Sequence, residues 1–260
     1  MEELVNFSKQ KFESYCSTFQ GLTEEQQDNF TIKKEHSYRV AETSIHLAER
    51  LKLDEKDKLL AFCIGLFHDI GRFRQLVDYN TFVDSKSVDH ADYSIQVLKE
   101  GTFLDLLDDR QVELALFAIE NHNKRSMPKG VSEREVLFAK LIRDADKLDI
   151  LKVLTEYYLN PKIKANHTLT WEMPAGNTVS KDVLKEILKG SLVSKDKIKN
   201  QLDIKVMQLS WVYDFNFKPS FEIMMKNRFL DKIYNSMPKN DQVIEIYRTI
   251  KVYAENKFLR

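Results

Sequence analysis

Cysteine, proline and glycine are all scarce in this chain, and neither sign of charge dominates it. Two cysteines, Cys16 and Cys63, stand far apart with no Cys-x-x-Cys spacing. That excludes a disulfide framework and a cysteine-built zinc site, and suits a reducing compartment. Five prolines and seven glycines in 260 residues are few for a turn-dense sheet protein, and stretches rich in Leu, Lys, Glu and Ile favour helices. The 40 basic and 40 acidic residues cancel, so no global field addresses nucleic acid or an anionic membrane. The longest apolar run, Leu59–Phe67, falls well short of the ~18 residues that cross a bilayer. The N-terminus lacks a basic region leading into a long apolar core. These absences predict a soluble, cytoplasmic protein with no membrane partner.

What is present is helical periodicity. Residues 3–20 set Leu4, Phe7, Phe12, Tyr15 and Phe19 on one side of an N-terminal helix. A second helix is expected from Lys33 to Leu51, with His36, Val40, Thr43, Leu47 and Leu51 in one inward stripe and His46 on the polar arc. Asp54 is a fair N-cap for a helix to Ile70, with Gly71 read as its left-handed stop. That helix delivers His68 and Asp69 at the end of the apolar run, where an ionised carboxylate must be paired or bound to a cation.

Residues 76–88 read as an irregular polar loop of the kind that walls pockets. Asp89 caps a helix from His90 to Lys99. Another, Gln111 to His122, turns His122 inward. Ser132 to Glu135 resembles a capping box opening a helix that Asn160-Pro161 stops near Leu159. Within it, Asp144 and Asp146 lie about 200° apart around the axis, so one metal site cannot use both, whereas Asp146 and Asp149 lie close together. From 162 to 174 the pattern breaks into a short irregular or hairpin-like insertion containing a solvated His167. Helices are expected again over 180–198, 202–212, 217–235 and 241–258, with Trp211, Tyr213, Phe215, Phe217 and Phe221 as core.

His36, His68, His90 and His122 thus occupy inward faces or helix ends. With Asp69 and Asp146 they make a nitrogen and oxygen donor set suited to Mn, Fe, Co, Ni or Zn.

A histidine on one helix, a His-Asp pair ending an apolar helix and an aspartate in a later helix is an order that resembles the HD superfamily of metal-dependent phosphohydrolases. The resemblance runs from about His36 to Leu154 and rests on His36, His68-Asp69-Ile70-Gly71-Arg72-Phe73, His90, Asn121-His122-Asn123 and Asp144-Ala145-Asp146-Lys147-Leu148-Asp149. It implies an all-α HD-domain bundle over residues 1–160; residues 161–260 carry none of its motifs and, from their helical periodicity, are expected to form a C-terminal extension packed on it. It also implies a metal held by His36, His68, Asp69 and Asp146, and hydrolysis of a small phosphomonoester or phosphodiester, often of a nucleotide.

Arg72 and Lys147 are the cations placed to meet phosphoryl oxygens. In relatives of this kind, histidines placed like His90 and His122 bind a second metal or act on the leaving group. With Asp69 the one evident bridging carboxylate, the phosphate role is expected here. A regulatory binding module of the same fold is the competing class. The complete ligand set argues against it.

Overall fold

The computed structural model describes residues 2–160, 171 and 173–259. It is all-α, with no strand among the described residues and no helix long and apolar enough to cross a membrane. The chain divides into two compact units, Met1–Asp146 and Lys147–Arg260. The division falls inside a long helix, whereas the sequence reading set a boundary at 160.

In the first unit α1 spans Glu2–Cys16, α2 Glu24–Arg50, α3 Glu55–Phe67, α4 Gly71–Tyr79, α5 His90–Glu100 and α6 Asp109–Asn121, and α7, Glu133–Leu159, begins there. The second helix starts a good two turns earlier than expected because Thr23 and Gln26 form a reciprocal capping box. Ser132 and Glu135 do the same for α7.

Edge-to-face aromatic contacts fasten these helices together. Phe73 of α4 meets Phe12 of α1 at 5.5 Å and Phe30 of α2 at 5.1 Å, and Phe67 at the end of α3 meets Phe103 at 5.6 Å. Each such pair is worth about 0.5–1.5 kcal/mol beyond its burial. Phe67 and Phe73 flank the His68–Ile70 turn, so the aromatic core fixes the turn that carries the chemistry. Gly65 brings α3 against α2: a Cβ there would stand 2.7 Å from the Ala41 Cα. That close approach sets the His36 and His68 rings 5.2 Å apart.

Gly71 corrects the sequence reading. It opens α4 instead of stopping α3 in a left-handed turn, and positive φ among the glycines occurs at Gly21, Gly130 and Gly190. Its lack of a side chain serves packing, because a Cβ would collide with the Ser94 nitrogen and stand 2.7 Å from the Tyr93 carbonyl carbon. The expected loop over 76–88 is likewise shorter, since α4 continues to Tyr79 before Asn80 turns left-handed at φ 51°.

In the second unit α8 covers Lys181–Leu188, α9 Gln201–Ser210, α10 Lys218–Lys226, α11 Phe229–Asn235 and α12 Asp241–Leu259. Two expected helices are cut. The one from 180 ends at Leu188, and the one over 217–235 breaks at Arg228, whose backbone is left-handed at φ 55°. Of the five aromatics expected in the core, Phe215 and Phe221 are buried, whereas Trp211, Tyr213 and Phe217 are only half-buried. Apart from its last few positions, the insertion expected over 162–174, His167 included, lies outside the described residues.

Candidate metal centre

Five helices and one turn supply the site, all within the first unit. Lys33 and His36 come from α2, His68 and Asp69 follow the last turn of α3, and Arg72 stands in the first turn of α4. His90 opens α5, His122 caps the C-terminus of α6, and Asp146 lies on α7. His46 is exposed, as its helical face predicted.

The imidazoles are oriented before any ligand arrives. His68 Nδ1 lies 2.8 Å from the Gly65 carbonyl and His122 Nδ1 2.7 Å from the Ile119 carbonyl. A carbonyl can only accept, so both Nδ1 atoms carry the proton and both Nε2 atoms are left with a lone pair. His90 Nδ1 meets Asp84 Oδ2 at 2.6 Å, the carboxylate–histidine arrangement that raises the basicity of a ligating ring. Arg143, buried, donates to the carbonyls of Asn121 and Lys124, which pins the turn containing His122.

The freed nitrogens converge on two carboxylates. Asp146 Oδ1 lies 3.2 Å from His36 Nε2 and 3.6 Å from His68 Nε2. Asp69 divides its oxygens: Oδ2 is 3.7 Å from His68 Nε2 and 3.8 Å from His36 Nε2, while Oδ1 is 3.6 Å from His90 Nε2 and 3.8 Å from His122 Nε2. Neighbouring ligands ~2.1 Å from one cation stand roughly 3.0–3.4 Å from each other; the His36–Asp146 pair is already at that spacing, and the other pairs, at 3.6–3.8 Å, lie a few tenths of an ångström wider. Two sets can each gather around an ion, His36 with His68 and Asp146, and His68 with Asp69 and His122. The buried His68 Nε2 and Asp69 Oδ1 make no hydrogen bond among the described residues. Leaving such atoms unmet costs stability unless a ligand serves them.

Electrostatics point the same way. Burial alone would raise the Asp69 carboxyl, but Lys33, then His68, Arg72 and His90, hold it well below the usual carboxylate range. Asp146 is held low by His36 and His68 against the same burial. Burial lowers His90, with Arg72 adding to the effect. His122 is pushed down to about 3 by burial and by the neighbouring His90 and His68. Neutral imidazoles beside ionised carboxylates are the protonation states a cation needs.

Of the remaining side chains singled out in the sequence, Arg72 is close, its Nε 3.6 Å from Asp69 Oδ1, but its Nη1 is held by Asp84, Gln75 and the Phe82 carbonyl. Lys147 is not among the groups gathered here, and its ammonium pairs with Asp214 at 2.7 Å. Asp144 is fully buried, and neither it nor Asp149 belongs to either set. Sequence reasoning missed Lys33, whose Nζ sits 2.8 Å from Asp69 Oδ2, and Asp84. Lys33 had a readable signal, one helical turn before His36. Asp84 lay in a stretch with no periodicity to read.

This all-helical bundle gathers four histidines and two aspartates in the order His, His-Asp, His, His, Asp, a donor set that could hold a metal ion. Residues 34–151 match the HD domain family, and the chain carries an HD domain over that segment. HD domains form a superfamily of metal-dependent phosphohydrolases and bind divalent metals. Comparison with curated proteins and with solved structures returns no significant match.

Proposed function

We propose that this protein hydrolyses a phosphomonoester or phosphodiester of a nucleotide or related small molecule, using divalent transition metal held by His36, His68, Asp69 and Asp146. The observation that carries this reading is the convergence of pre-oriented Nε2 lone pairs on a carboxylate, Asp69, that offers one oxygen to each side. Metal bound there supplies a water acidified toward neutrality and neutralises charge on phosphoryl oxygens.

The chain's own residues do the rest. Gly65 and Ile119 carbonyls hold the ring tautomers, and Asp84 holds His90. Arg72, tied to Asp84, keeps a positive field beside Asp69. The sequence reading gave His90 and His122 a phosphate role for want of negative charge. Asp84 supplies part of that missing charge, and a His122 ring pushed down to about 3 resists holding a proton. Both observations favour a second cation, which His90, His122 and Asp69 would hold.

The test is turnover on a panel of phosphate monoesters and diesters, after chelation and readdition of Mn, Fe, Co, Ni or Zn, beside Asp69→Ala and His46→Ala. Metal-restored hydrolysis that survives in His46→Ala and vanishes in Asp69→Ala is expected. Metal uptake without turnover of any ester would instead indicate a binding module.

A further inference from the structure

Three cations stand near the ligands in sequence or in space, and two are already engaged in ways that resist release. Lys147 is paired with Asp214. Arg72 is anchored by two side chains and a carbonyl through one nitrogen. Lys33 differs. Its ammonium makes one hydrogen bond among the described residues, to Asp69 Oδ2, and otherwise only approaches the Phe82 ring, 5.7 Å from its centroid. Its side chain keeps 18% of its exposure, and a four-carbon stem lets the head group swing without moving the helix.

The oxygen it holds is the one turned toward His36 and His68. A divalent ion bound among those groups and the Lys33 ammonium therefore want the same lone pairs. Two cations cannot share one carboxylate oxygen at ligand distance without strong mutual repulsion. The ammonium must then leave, and the nearest new anion is the phosphoryl group that the metal itself attracts.

We propose that Lys33 is a shuttle cation: it neutralises Asp69 until a divalent ion claims that carboxylate, and then binds the phosphoryl oxygens of the substrate. The inference rests on the phosphohydrolase reading and adds to it a positive coupling between metal and phosphate that runs through one side chain. Such coupling is reciprocal, so phosphate must tighten metal binding by the factor with which metal tightens phosphate binding.

The experiment is calorimetric titration of the metal-free protein with Mn²⁺, with and without inorganic phosphate, for wild type, Lys33→Met, Lys33→Gln and Lys33→Arg. Without phosphate, the Met and Gln variants lack the competing ammonium and should bind Mn²⁺ at least about fivefold more tightly than wild type. Phosphate should tighten Mn²⁺ binding by a clearly larger factor in wild type and in Lys33→Arg than in the Met and Gln variants, where only its direct attraction to the ion remains. Mn²⁺ affinity that is equal or weaker in both neutral variants, or a phosphate effect as large in them as in wild type, overturns the shuttle while the metal centre stands. A wild-type protein that takes up no Mn²⁺ overturns the metal-centre reading and the shuttle with it. The Gln variant keeps the comparison intact if the apolar replacement disturbs packing.

Discussion

His90 and His122 point their Nε2 atoms at each other across 3.1 Å. The Ile119 carbonyl forces the proton of His122 onto Nδ1, and the Asp84 carboxylate does the same for His90. Two neutral rings so arranged bring lone pair against lone pair, an arrangement that needs a proton or a metal between them. Because both rings are shifted away from protonation, metal titration should reach two equivalents in wild type and one in His122→Ala. A single equivalent in both proteins, with a loss of rate in the variant, would return these rings to the phosphate role.

Acid should destabilise the metal-free protein earlier than carboxylate titration alone would. The ordinary value for His122 is 6.5 and its folded value is about 3. Between those limits the unfolded chain takes up a proton that the folded chain refuses, so stability is full above about pH 6.5 and falls as pH drops toward 3. His90 shifts in the same direction. Melting temperature in the presence of chelator should therefore fall between pH 7 and pH 5, and less steeply in His122→Gln. Parallel slopes in the two proteins would mean that His122 is not held neutral.

Replacing Asp84 by Asn tests whether the loop carboxylate orients His90. Its own carboxyl is held far below the ordinary range, against burial, by His90 and Arg72, so the charged form is the one that His90 meets. Partners of this kind typically govern 10–100-fold in metal affinity or rate, and about that loss is expected in Asp84→Asn. The melting temperature should change little by comparison, because Asp84 is only half-buried. A large thermal loss with unaltered metal affinity would make Asp84 a structural residue alone.

Asp144 and Asp146 should separate cleanly. Asp144 is fully buried and engaged within the fold, whereas Asp146 keeps 17% of its side-chain exposure and faces His36 and His68. Asp144→Asn should cost stability on the order of 1–3 kcal/mol, as loss of a buried charged hydrogen bond does. Asp146→Asn should lower metal content with a smaller change in melting. Paired metal analysis and thermal melts decide, and the reverse pattern refutes the assignment.

The helices of the first unit were legible because their apolar stripes recur at 3.6-residue spacing and their starts carry capping residues. Asp54, Asp89 and Ser132 cap as their residue types suggest. His36 was readable for the same reason, as it shares a stripe with Val40 and Leu47, all buried. Asp84 was not, since a side chain in a short 3₁₀ turn obeys no helical period. Lys33 stands one helical turn before His36, so its place beside the site was readable, but only the tertiary position of Asp69 gives it a partner. Arg228 and Gly71 failed because local propensity could not show a left-handed residue breaking a helix, or a glycine kept for a neighbour's backbone.

Gly71 offers the sharpest link between packing and chemistry. It stands two residues after Asp69, opens α4, and donates its backbone N–H to Ser94 Oγ at 2.9 Å, while Ser94 Oγ donates in turn to the His90 carbonyl at the same distance. A methyl group at position 71 would strike the backbone of α5 at Tyr93 and Ser94, and backbone cannot rotate away as a side chain can. Helix α5 must then shift outward, and His90 at its first turn moves with it, away from Asp69 Oδ1. Overpacking of this kind costs about 1–3 kcal/mol, so Gly71→Ala should lower the melting temperature. It should also weaken metal binding, although no ligand has been altered. Gly65→Ala, which strains α2 against α3 instead, should act on the His36 side. With two equivalents bound in wild type, Gly71→Ala should weaken the site that includes His90 more than the other, and Gly65→Ala the reverse. Equal weakening of both sites by either substitution would show that the two helix contacts do not position their histidines separately.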